Sequence, residues 1–78
     1  MFVTVKLYGT LRRLSRPETP GLWEGEIAGG STVQDLINLL GSPDGEVSAV
    51  AMNGEAVTFD TPIPDHAVIL LVTNVNGG

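Results

Sequence analysis

Apolar residues along this chain follow two different rhythms. In "FVTVKLYG" the side chains of Val3, Val5 and Leu7 alternate with those of Thr4, Lys6 and Tyr8, and the run stops at Gly9. A period of two, built from β-branched and aromatic residues, predicts a strand with one face inward. "TLRRLSRPETPG" breaks that rhythm with two prolines and a glycine, and reads as a loop with room for one helical turn over Leu11–Leu14. "LWEGEIA" predicts a second strand, and Gly25 inside it favours a place at the sheet edge.

The period then lengthens. In "GGSTVQDLINLLGSP" the apolar residues Val33, Leu36, Ile37, Leu39 and Leu40 form one stripe at helical spacing. Ser31 or Thr32 supplies the N-cap, Asp35 sits near the positive end of the helix dipole, and Gly41 with Pro43 ends the helix. "EVSAVAMNGEAVTF" holds Asn53-Gly54, a tight-turn pair, between two strand-like pieces. "DTPIPDHA" is a loop. The consecutive apolar residues Val68–Val72 predict a central strand shielded on both faces.

The order is therefore strand, strand, helix, strand, short strand, strand. One helix of about ten residues covers one face of a small sheet and leaves the other without a helix. The first two strands are joined locally and pair antiparallel, and the last enters the middle beside the first. The expected fold is α+β, a β-grasp with a mixed four- to five-stranded sheet and one main helix, as a single domain over residues 1–78. If Ile69 and Leu71 point to the helix, alternation turns Val68, Leu70 and Val72 to the uncovered face, where Phe2 or Tyr8 can join them. Either these side chains form an apolar patch of the kind that marks a protein interface, or loops fold over them, or the register is reversed.

Composition narrows the functions open to such a fold. A chain of 78 residues buries only about 60% of its unfolded surface, so stability is modest. There is no cysteine and a single histidine, His66, which leaves no thiolate or multi-histidine metal site and no cysteine nucleophile. No apolar run reaches bilayer-spanning length and the N-terminus lacks a signal-peptide pattern, so a cytoplasmic protein is expected. Net charge is −5, with Lys6, Arg12, Arg13 and Arg16 the only basic residues, all ahead of the nine carboxylates. Such a surface disfavours nucleic acid and anionic membranes and suits a basic protein surface. The cluster Arg12-Arg13-x-x-Arg16 either grips a phosphate or is solvated charge. His66 reads as a surface turn residue and Trp23 as a packing residue on an edge strand.

The remaining chemistry lies in "LVTNVNGG". Gly77 and Gly78 carry no side chain, so the group on offer is the α-carboxylate of Gly78, ionised because its pKa is about 3.5. A carboxylate reacts only after activation, for example as a mixed anhydride with a nucleotide. Glycine suits a narrow activating site because no Cβ blocks approach. Asn74 and Asn76 add a polar spacer, and on the diglycine alone a plain flexible end is an equal reading.

One central helix, an "NG" turn after the third strand, a hydrophobic last strand and the final Gly-Gly together resemble the ubiquitin-like sulfur carriers. These include the small subunit of molybdopterin synthase and the thiamine-pathway carrier. "LYGTLRRL" and "AMNGEAV" are similar to the molybdopterin-type pattern, as is the length. The resemblance implies a carrier, not an enzyme, with no cofactor or metal of its own. A ubiquitin-activating-type adenylyltransferase would adenylate Gly78, a sulfur donor would convert it to a thiocarboxylate, and the large catalytic subunit of a molybdopterin-synthase-like enzyme would receive the sulfur. Gly77 and Gly78 match the diglycine, Val75 and Asn76 the segment that threads the partner, and Val68, Leu70 and Val72 the docking strand. Two features depart from the family: "PDHA" stands where a "DGD"-like turn is common, and Thr73 and Asn74 where prolines are common. A protein modifier that forms isopeptide bonds, an interaction module with an inert tail, or a sulfur carrier for thiamine or another sulfur-assimilation pathway are the rival expectations.

Overall fold

The computed structural model describes residues 1–73. Five strands form one sheet: β1 (Phe2–Leu7), β2 (Leu22–Glu26), β3 (Val47–Met52), β4 (Glu55–Val57) and β5 (Val68–Thr73). Their order is β2-β1-β5-β3-β4, so the most apolar strand is central and Leu22–Glu26 is an edge. β1 pairs with β2 antiparallel and with β5 parallel, while β3 pairs antiparallel with both β4 and β5. With the single helix α1 (Val33–Leu40) over one face, this is the expected β-grasp.

Local chemistry explains where α1 begins and ends. Thr32, rather than Ser31, is the N-cap: the Asp35 amide donates to Thr32 Oγ1 at 3.2 Å, and the Thr32 amide donates to Asp35 Oδ2 at 2.9 Å. This reciprocal pair satisfies two amide donors that the first helical turn cannot. At the other end Gly41 adopts φ +86, the left-handed conformation that a Cβ disfavours, and its amide returns to Ile37 and Asn38 carbonyls. Val33, Leu36 and Ile37 are buried against Val3, Val5, Leu7, Val50, Ile69 and Leu71 of the sheet. Leu40 is half-buried, but Leu39 is 59% exposed and does not belong to the inward stripe. At about 100° per residue Leu39 falls about 60° beyond Leu36, on the solvent side of the face that Val33, Leu36 and Ile37 turn to the sheet.

The proline-rich loop after β1 is more ordered than its composition implies. Gly9–Leu14 forms a 3₁₀ helix that buries Leu11 completely. Loop residues Ile27, Ile63 and Ala67 also enter the core, closing its rim where α1 is too short to reach. Trp23 packs against this core, as a packing residue on an edge strand should. A Cβ on Gly25 would sit 2.9 Å from the Trp23 ring, so the glycine in this strand makes room for the indole.

Candidate functional site

The face of the sheet opposite α1 carries the described part of the expected site. Ile69 and Leu71 are fully buried beneath the helix. Strand alternation then turns Val68, Leu70 and Val72 outward, where Val68 is 36% exposed and the other two are half-buried. The central strand is thus shielded on one face only, which corrects the expectation that five consecutive apolar residues imply cover on both. Neighbouring strands widen the patch: Leu70 lies between Lys6 of β1 and Ala51 of β3, and Val72 lies beside Ala49. Small alanines on β3 keep this surface flat. Tyr8, 45% exposed, continues it past the end of β1, whereas Phe2 sits at the opposite end with its ring 6.1 Å from that of His66.

The two ends of β5 are held differently. Where the strand begins, Asn53 Oδ1 accepts from the Val68 amide at 2.9 Å, and the Asn53 amide donates to the Val68 carbonyl at 2.8 Å. Asn53 and Gly54 both have positive φ, as the tight hairpin turn requires. In the preceding turn Asp65 Oδ1 accepts from the Phe2 amide at 2.8 Å, and this bond, with smaller help from His66, lowers the Asp65 carboxyl below its ordinary range. His66 has φ +65, the region glycine favours, in the turn where the related pattern carries glycine. Its side chain is exposed, consistent with a surface turn residue.

Where β5 ends, packing is tight. Thr73 is buried, pairs with Val47, and abuts Gly9, which adopts φ +62. Beside it, Arg13 forms a two-pronged ion pair with Glu46, one prong 2.7 Å long. Ser42 and Thr10 hydroxyls donate to the same carboxylate at 2.7 and 2.8 Å. Arg13 first, then the two hydroxyls, hold the Glu46 carboxyl at about 2, against an ordinary 4.5. The network ties the 3₁₀ helix and the α1–β3 loop to the residue preceding β3, at the pole where the last strand finishes. Gly9 falls inside the "LYGTLRRL" stretch, but nothing in that stretch announces its contact with Thr73, and Glu46 is marked by no short motif.

The three arginines do not act as one phosphate grip. Arg13 is engaged by Glu46, and Arg16 lies 5.6 Å over the Trp23 ring while donating to the Glu24 carbonyl at 3.2 Å. Arg12 lines a groove of about 310 Å³ with Lys6, Tyr8, Pro20 and Leu22, adjoining the outer face. Among the described residues no three side chains of His, Asp or Glu gather as a metal site, and no helix is long and apolar enough to cross a membrane. Val75, Asn76, Gly77 and Gly78, the other expected site residues, lie outside the described residues.

Comparison with known proteins adds what geometry alone does not. No curated protein sequence matches the chain. Among solved structures, SAMP1 from Haloferax volcanii, a small archaeal modifier protein, is 20% identical over all of both chains, with a TM-score of 0.74. The putative molybdopterin converting factor subunit 1 of Pyrococcus furiosus is 24% identical over 95% of this chain and 98% of that one, with a TM-score of 0.70. Subunit 1 in the complex of molybdopterin-converting factor subunits 1 and 2 from Helicobacter pylori is 25% identical over all of both chains, with a TM-score of 0.61. The sequence model of the ThiS family matches residues 5–78. Fold and sequence agree: the chain has the ubiquitin-like β-grasp fold and belongs to the ThiS family.

Proposed function

We propose that this protein is a sulfur carrier whose reactive group is the α-carboxylate of Gly78. The observation that carries this reading is the union, in one ThiS-family chain, of an uncovered apolar strand and a diglycine that follows it. In the reaction, a carboxylate oxygen of Gly78 attacks the α-phosphorus of ATP and pyrophosphate leaves, giving an acyl-adenylate. A donor at the oxidation level of sulfide then attacks the acyl carbon, AMP leaves, and a thiocarboxylate remains. The chain itself supplies no acid, base or metal to these steps. Its part is to dock, through Val68, Leu70 and Val72, and to present Val75, Asn76, Gly77 and Gly78 to the enzymes that act on them.

Two partners follow: a ubiquitin-activating-type adenylyltransferase that performs the activation, and the large catalytic subunit of a molybdopterin-synthase-like enzyme that accepts the sulfur. The likeness to subunit 1 of the H. pylori complex supports the second, since that protein is bound to subunit 2. Molybdopterin is accordingly the favoured destination over the thiamine pathway. The likeness to SAMP1 supports the rival in which the same activated glycine is joined to a lysine amine. ATP–pyrophosphate exchange by the purified adenylyltransferase of the same host tests the proposal. Exchange is expected with the intact chain and not with one lacking Gly78; equal exchange by both would refute activation at that residue.

A further inference from the structure

We infer that the groove between Lys6 and Arg12 seats a carboxylate side chain of the protein that docks on the outer face, a reading that rests on the docking role proposed above. The groove is lined by Tyr8, Pro20 and Leu22 together with two cations, Lys6 and Arg12. Lys6 lies beside Leu70 in the β1–β5 register, so the groove is continuous with the exposed apolar strip. Gly21, with φ +80, lies against the guanidinium: a Cβ there would stand in ordinary van der Waals contact, 3.6 Å from Arg12 Nε. Among the described residues Lys6 and Arg12 have no acidic partner, in contrast to Arg13 on Glu46, while Arg16 is occupied by Trp23 and the Glu24 carbonyl.

Charge on the same face then sets an orientation. Glu24 and Glu26 of β2 lie opposite Thr4 and Phe2, and Asp65 binds the Phe2 amide, so the far end of the face is acidic. A partner carboxylate is repelled there and attracted to the Lys6–Arg12 end, which is also the end where β5 finishes at Thr73. A chain of net charge −5 that keeps its two uncommitted cations together beside an apolar strip is complementary to an aspartate or glutamate set next to an apolar side chain. Such a pair fixes which way round the partner sits, so that its active site meets the Gly77-Gly78 end.

The test measures the Kd of the host's purified adenylyltransferase for the full chain, for Lys6→Glu/Arg12→Glu and for Leu70→Asp, at low and high salt. Thermal melts check that each variant is folded, and Lys6→Gln/Arg12→Gln serves if the reversal is not. The double reversal is expected to weaken binding about 30-fold or more at low salt, with the gap shrinking at high salt. Replacing one partner aspartate or glutamate by lysine should restore it. Wild-type affinity in the double reversal, with binding lost in Leu70→Asp, overturns the carboxylate seat and leaves the docking face intact. Wild-type affinity in Leu70→Asp overturns the docking face itself. Binding of inorganic phosphate in the groove with unchanged enzyme affinity would mark an anion site and also overturn the inference.

Discussion

Gly9 faces Thr73 so closely that a Cβ built on the glycine would overlap Thr73 Oγ1 and lie 3.5 Å from Thr73 Cβ. Gly9 also has φ +62, a conformation that costs an L-residue energy wherever it occurs. The end of the last strand is therefore positioned by a glycine on the segment after β1. Gly9→Ala should destabilise the fold by about 2 kcal/mol, combining backbone strain with overpacking. Urea denaturation checks this, and the double variant with Thr73→Ala should recover part of the loss, since it removes the clash but not the strain.

The Glu46 network predicts an acid dependence. Its carboxyl is lowered from 4.5 to about 2 by Arg13, Ser42 and Thr10, so folding favours the ionised form. The resulting stabilisation is fully present above the unfolded value and is lost as pH falls from 4.5 toward 2. Asp65, lowered by the Phe2 amide, contributes in the same sense. Because the Arg13 end is open to solvent, the effect is small: Glu46→Gln should lower Tm by about 4 °C at neutral pH. In thermal melts across that acid window, the variant should lose stability less steeply than the wild type. Parallel curves would contradict this account of the network.

His66 occupies a left-handed position, φ +65, in an exposed turn. Its amide donates to the Phe2 carbonyl at 2.7 Å, a bond that glycine can also make. His66→Gly should therefore stabilise the protein by roughly 0.5 kcal/mol, the relief of strain exceeding the entropy glycine adds to the unfolded chain. Chemical denaturation measures this, and a clear loss of stability would show that the side chain contributes more through Phe2 than its exposure implies.

Neighbours on β5 should separate folding from docking. Leu71 is fully buried, and Leu71→Ala should cost about 3 kcal/mol by leaving a cavity. Leu70, half-buried on the outer face, should tolerate Ala with a cost below about 1.5 kcal/mol while binding to the adenylyltransferase weakens about tenfold or more. Melting curves paired with binding isotherms decide it. Equal stability losses at both positions would mean that the outer face is part of the core.

Much of this was legible along the chain because the signals are local. Alternation in Phe2–Leu7, the cap at Thr32, the Asn53-Gly54 turn and the apolar run from Val68 each report on a few adjacent residues. Topology followed from counting how much one short helix can cover. What escaped depends on contacts between distant segments. Arg13 and Glu46 meet only once the sheet is assembled, and Gly9 reads as the end of a strand until Thr73 is set against it. Leu39 fits a helical stripe by spacing, yet it stands at the margin of that stripe beyond Leu36 and is left to solvent. Likewise, five consecutive apolar residues cannot by themselves distinguish a doubly covered strand from one that keeps a face for another protein.

Sulfur carriage by this chain comes down to one oxygen atom, at Gly78. Intact-mass measurement of the protein purified from its native host, with fragmentation of the C-terminal peptide, tests it most directly. A fraction is expected in which one oxygen at Gly78 is exchanged for sulfur, and that fraction should be lost in cells lacking the adenylyltransferase. A Gly78 found only as an unmodified carboxylate, or only in isopeptide linkage to lysines of other proteins, would contradict it.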